Sequence, residues 1–135
     1  MLNNPTFGSL QAQLINFSRD LTAIDGDVAY TGAGCRPVAV IIFGRRSPSQ
    51  ATPSWSVGFG DKSLAEMLIM QYVEVGQLTN GFDATFIVYL RIDGTKYSYA
   101  TLKSLDADGF TLTWTTVGVL TGHVGDFGAL CLGLT

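Results

Sequence analysis

Lys96 to Thr115 reads KYSYATLKSLDADGFTLTWT, and its second half decides the fold. Phe110, Leu112 and Trp114 alternate with Thr111, Thr113 and Thr115. A period of two gives one apolar and one polar face only in an extended strand. The run Asp106-Ala107-Asp108-Gly109 ahead of it is a turn, so the two flanking segments form a hairpin with Phe110, Leu112 and Trp114 on the core face. Upstream, Asp93-Gly94 favours a type I′ turn and predicts a second hairpin between Ala84–Ile92 and Lys96–Leu105. Downstream, the apolar segment Phe127–Leu134 reads as a last strand closing the sheet.

The first half extends the pattern. Pro37 to Phe43, PVAVIIF, is a short β-branched run between turn residues, expected at the centre of a sheet and buried on both sides, with Val40 and Ile42 in the core. Leu10 to Phe17 alternates and predicts a first strand. Gly44 to Ser54, GRRSPSQATPS, reads as a surface loop. Lys62 to Val73 is open to two readings. Ser63 and Glu66 have capping-box spacing, which favours a short helix or irregular turn, while Leu68–Val75 equally suits a strand. Short strands, frequent Gly and Thr, and at most one short helix predict an all-β, antiparallel β-sandwich, jelly-roll-like, in one domain over residues 1–135. Residues 1–9 are expected to form an extended N-terminal arm.

Composition excludes several function classes. The chain has 135 residues, with 8 Lys+Arg against 11 Asp+Glu and a formal charge of −3. Binding nucleic acid through a general basic field needs clustered Lys and Arg that are absent here, so no nucleic-acid partner is expected. The most apolar stretch, Val38–Phe43, is far short of a bilayer-spanning helix, so no membrane partner is expected either. No Lys or Arg precedes Arg19 and no continuous apolar block follows it. Neither a secretory leader nor a lipidation motif is read, and the mature chain is expected to start near Met1. Cys35 and Cys131 match no zinc or redox spacing and read as small buried hydrophobes, with a single disulfide as the lesser alternative.

Chemistry-bearing motifs are sparse. The sole histidine, His123, lies in Gly122-His123-Val124-Gly125 with no nucleophile elbow anywhere, so it reads as a loop histidine. Asp25, Asp27, Asp61, Glu66, Asp83, Asp106 and Asp108 could supply paired carboxylates, but most sit at turns, which explains them. Asp106-Ala107-Asp108-Gly109 lacks the later ligands of a calcium loop, and Gly58–Ser63 lacks phosphate-loop spacing. The expectation is no catalytic residue, no metal and no cofactor. Trp55, and less so Trp114 and Tyr30, Tyr72, Tyr89, Tyr97 and Tyr99, raise sugar stacking. For Trp55 an anchor at a protein interface is the commoner fate.

The distribution of charge is more informative. Only 14% of residues are charged, where about 25% is usual. Met1–Ser18, Ser47–Gly60, Gly109–Gly122 and Phe127–Thr135 carry no charge at all. Interface cores are depleted in charge, so the chain reads as a subunit that sits inside an assembly, and a homo-oligomer is expected. Candidate interface residues are Leu2, Pro5 and Phe7 in the arm, Arg45 and Arg46, and Trp55.

Three segments carry a family resemblance: TGAGCRPVAVIIFG at 31–44, SVGFG at 56–60 and DADGFTLTWT at 106–115. Together they resemble a β-sandwich module of tailed-bacteriophage virion structural proteins, over most of residues 28–135. That module has a Gly-Phe-x-Pro-Lys-Ala-Val-Ile strand, a Ser-x-Gly-Phe-Gly segment and an Asp-Gly-Phe-Thr-Leu-x-Trp strand. Here Gly34-Cys35 stands where the module has Gly-Phe, and the last strand reads ALCLG at 129–133. The resemblance implies a non-enzymatic virion protein, assembled in the host cytoplasm, with the major capsid protein and copies of itself as partners. A short chain without a stalk fits a capsid decoration, or cement, subunit. The alternative is a tail or fibre-tip module binding a host-surface carbohydrate, and a polysaccharide hydrolase stands third.

Overall fold

The computed structural model describes residues 9–47, 53–64, 66–74 and 76–134. Its strands are β1 (Leu10–Asp20), β2 (Gly26–Thr31), β3 (Pro37–Ser47), β4 (Ser54–Asp61), β5 (Glu66–Glu74), β6 (Gln77–Asp83), β7 (Val88–Asp93), β8 (Lys96–Asp106), β9 (Gly109–Val117) and β10 (Val124–Leu134). Among the described residues there is no helix. The strands form two antiparallel sheets, ordered β1-β10-β3-β4-β5-β6 and β2-β9-β8-β7. The nested pairs β1·β10 and β2·β9 are those of a jelly roll, and β3–β6 and β7–β9 run as two meanders. The β-sandwich expected from the alternating segments is the architecture found.

The core lies between the sheets. Phe110, Leu112 and Trp114 face inward from β9 against Val40 and Ile42 of β3, and all five are buried. Phe127 stacks on Phe17 at 4.8 Å and meets Trp114 edge-on at 5.5 Å. The indole N–H of Trp114 donates to the Tyr30 hydroxyl at 3.0 Å, so the largest buried side chain keeps its polar atom satisfied. Arg19 spreads its guanidinium over the Trp114 ring at 4.8 Å and donates to the Ile24 carbonyl at 2.9 Å. Gly58 permits the closest approach between layers, since a Cβ there would stand 1.7 Å from the Ile87 carbonyl oxygen.

Several expectations are corrected. Lys62–Val73 contains no helix. Ser63 donates to the Asp61 carboxylate in a turn, Glu66 opens β5, and its carboxylate accepts from the Leu102 amide on the opposite sheet rather than capping a helix. Gly44–Ser47 and Ser54 are strand, not loop, and residues 48–52 lie outside the described residues. Adjacent strand residues point to opposite faces, so Arg45 faces out and Arg46 faces in, where it is 1% exposed; Arg46 is therefore not a surface interface residue. Ala84 to Ile87 precede β7 rather than belonging to it. The β7–β8 turn residues are Gly94-Thr95, without the positive φ a type I′ turn needs, because the Asp93 carboxylate accepts from the Thr95 amide and hydroxyl and fixes another geometry. β10 does not close a sheet edge but lies between β1 and β3. β3 is central yet covered only on its inner side, with Phe43 61% exposed. The N-terminal arm, with Leu2, Pro5 and Phe7, falls outside the described residues except for Ser9.

Candidate functional site

The two outward sheet faces differ in chemistry. On the four-stranded sheet, Thr111, Thr113 and Thr115 of β9 alternate with the core residues, and Asp27 of β2 accepts from Thr113 at 2.6 Å and pairs with Lys103 of β8. Over β2 and β9 that face is polar and hydrogen-bonded, as a face left in water should be, while over β7 and β8 it carries the packed rings of Tyr89, Tyr97 and Tyr99.

The six-stranded sheet presents the opposite. Its register sets outward side chains in rows that cross from strand to strand. One row runs Leu14, Leu130, Ile41, Phe59, Met67 over β1, β10, β3, β4 and β5. The next runs Asn16, Gly128, Phe43, Val57, Ile69, Phe82 over all six strands. Leu10, Leu134, Leu132 and Ala39 continue the apolar surface at one end, and Val73 and Leu78 at the other. Leu10, Phe43, Phe82 and Leu78 are each more than half exposed. Isolated exposed apolar residues are ordinary, but contiguous rows across a whole sheet mark a surface that is normally covered.

One row is polar: Ser18, Asp126, Arg45, Trp55, Gln71, Asn80. Its members bond to each other. Arg45 pairs with Asp126 at 3.6 Å, the Trp55 indole N–H donates to Gln71 at 2.9 Å, and the Gln71 amide donates to Asn80 at 2.9 Å. Arg45 and Asp126 are the only charged side chains in these three rows and cancel. Where the Trp55 and Phe43 rows meet, Gly128 has no side chain between Asn16 and Phe43. A shallow groove of about 480 Å³ opens there, with Phe43, Arg45, Trp55 and Asp126 on its walls.

Of the residues the sequence singled out, Trp55 and Arg45 come together in this row, and both lie on strands rather than in a loop. Arg46 points away into the sandwich, where its guanidinium lies 2.9 Å from His123 Nδ1. Arg46 can only donate there, so Nδ1 accepts and the imidazole is neutral. Burial and then the positive charges of Arg46 and Lys96 hold the His123 pKa below the usual histidine value. His123 thus serves a buried arginine.

The aspartates are also engaged structurally. Asp20, Asp61, Asp83 and Asp93 each accept from a Ser or Thr two residues on. Asp25 accepts from the Thr116 amide, Asp106 from Ser104 and Thr111, and Asp108 from the Gly32 and Gly34 amides. Among the described residues no three His, Cys, Asp or Glu side chains gather as a metal cluster would require. Cys35 and Cys131 are free thiols, and burial, with Cys35 nearby, pushes the Cys131 pKa up to about 11. Tyr72, Tyr89, Tyr97 and Tyr99 gather with Phe86 at the β5–β7 side of the sandwich. Arg91 lies 4.6 Å over Tyr72, and these rings pack mainly on each other.

No family model, curated protein or solved structure matches this chain. Among the described residues no helix is long and apolar enough to cross a membrane.

Proposed function

We propose that the protein is a non-enzymatic structural subunit of a tailed-bacteriophage particle, specifically a decoration or cement subunit on the capsid. The observation that supports an assembly role is the outer face of the six-stranded sheet, whose Ile41 and Phe43 rows are apolar across its width with several side chains about half exposed or more. Such a face gains stability from removal of apolar area from water and gives a subunit a broad surface to cover. The virion assignment rests on the resemblance of residues 28–135, and the major capsid protein is the partner it implies. On a lattice many modest contacts reinforce one another, so no single strong site is needed. The carboxylates held in turns and the histidine serving Arg46 support a role without catalysis.

A second reading, a tail or fibre-tip module that binds a host-surface carbohydrate, is favoured by the groove between Trp55 and Phe43. Quantitative mass spectrometry of purified particles separates the two. Copy numbers in the hundreds support decoration, a handful supports the tail, and absence from particles overturns both. A glycan array with the purified protein is expected to show no saturable signal if the decoration reading holds.

A further inference from the structure

We infer that the outer face of the six-stranded sheet is the surface on which two copies of this chain pack, sheet against sheet. This rests on the assembly reading above and names the surface and its first occupant. Three observations select a second copy.

The first is area. Six strands about 4.8 Å apart and the rows from Leu132 to Val73, at about 6.8 Å per two residues, outline roughly 800 Å². That is about what each partner contributes to a standard protein interface. The second is charge. The Ile41 and Phe43 rows carry none, in the Trp55 row Arg45 and Asp126 neutralise each other, and only at the margins do Asp61 and Asp20 stand, each engaged by a turn hydroxyl, so the middle of the face offers nothing to complement a strongly charged partner. Another copy of the same surface meets its neutral, apolar middle without burying an unpaired charge there.

The third is hydrogen bonding, and it decides between a protein face and a sugar. A sugar needs donors and acceptors left open beside the aromatic rings. Here the Trp55 N–H, both ends of the Gln71 amide and the Asn80 oxygen are already joined in one chain of bonds. A polar row satisfied within its own sheet can go dry against apolar surface at little penalty. A two-fold axis along the strands sets each row against its own counterpart, keeping the Trp55 rows opposite each other and the Phe43 and Ile41 rows in a shared apolar layer.

The test is sedimentation of the full 135-residue chain from about 1 to about 100 µM. The wild type is expected at twice the 14.4 kDa chain mass or a higher even multiple. Phe59→Lys and Ile69→Lys place a cation in the middle of the layer without touching the core, and each is expected to weaken association by at least about 100-fold. Ile24→Lys and Val119→Lys, exposed apolar positions outside the sheet, are expected to leave it unchanged. Far-UV circular dichroism checks folding, and Met67→Lys at the margin of the layer replaces any variant that fails it. A monomeric wild type over the whole range overturns the inference, as do folded lysine variants that associate like wild type. Copies on the particle together with a monomer in solution would sink the inference and spare the proposed function. Lysine-sensitive association with no copies on particles would do the reverse.

Discussion

Phe127 is the residue whose removal the sandwich should feel most specifically. It lies directly opposite Gly44 on β3, and its ring covers both Gly44 and Gly125, where an added Cβ would stand 2.6 and 2.4 Å from ring carbons. The ring cannot step aside, because Phe17 stacks on one side at 4.8 Å and Trp114 closes another at 5.5 Å. Phe127→Ala removes a buried aromatic and leaves a cavity, which costs about 3–5 kcal/mol. Gly44→Ala forces a methyl into the ring and costs about 1–3 kcal/mol by overpacking. Once the ring is gone the methyl has room, so the double variant should be no less stable than Phe127→Ala alone. That gives a coupling of about 1–3 kcal/mol where independent sites add to within about 0.5 kcal/mol. The assay is urea unfolding of all four proteins at one fixed concentration, since association would shift the midpoints. For a chain of this length about 1 kcal/mol corresponds to roughly 4 °C, so Phe127→Ala should melt about 10–20 °C below wild type. Additive losses in the double variant would refute the packing described for the β3–β10 glycines.

Gly58→Ala should destabilise by more than about 3 kcal/mol, because the methyl meets the backbone carbonyl of Ile87 at 1.7 Å and neither strand nor linker can yield; a melting curve near that of wild type would contradict this. His123 is held neutral in the folded state with a lowered pKa, so between that value and about 6.5 the unfolded chain binds the extra proton. Stability should therefore be fully present above about pH 6.5 and fall as the pH drops through the folded value, and His123→Gln should flatten this part of a stability-versus-pH series. Iodoacetamide in native buffer should modify Cys35 before Cys131, whose buried thiol stays protonated to about pH 11; peptide mass spectrometry showing the reverse order would contradict the burial of Cys131.

The legible parts of the fold are those with one wet face. β9 alternates Phe, Leu and Trp with threonine because its outer side meets water, and with the Asp106–Gly109 turn that alternation makes its hairpin with β8 legible. β5 was ambiguous for the opposite reason. Leu68 faces the core while Met67 and Ile69 face outward, so both sides are apolar and no period survives to separate strand from helix. The same outward apolarity made β3 look buried on both sides. Arg45-Arg46 reads as a loop doublet until the strand continues through it and turns one arginine into the core. The charge-free stretches Ser47–Gly60 and Phe127–Thr135 pointed to a covered surface, and β4 and β10 carry much of the apolar face. The polar row linking Ser18 to Asn80 left no signal, because it exists only through the register of six strands distant in sequence.

The most direct measurement is hydroxyl-radical footprinting of the protein, comparing dilute chain with purified particles. Phe43, Trp55, Phe59 and Met67 on the outer face should be labelled in the dilute chain and protected in the particle, while Ile24 and Val119 label equally in both. Equal labelling of the outer face in the two states would contradict its role as the covered surface.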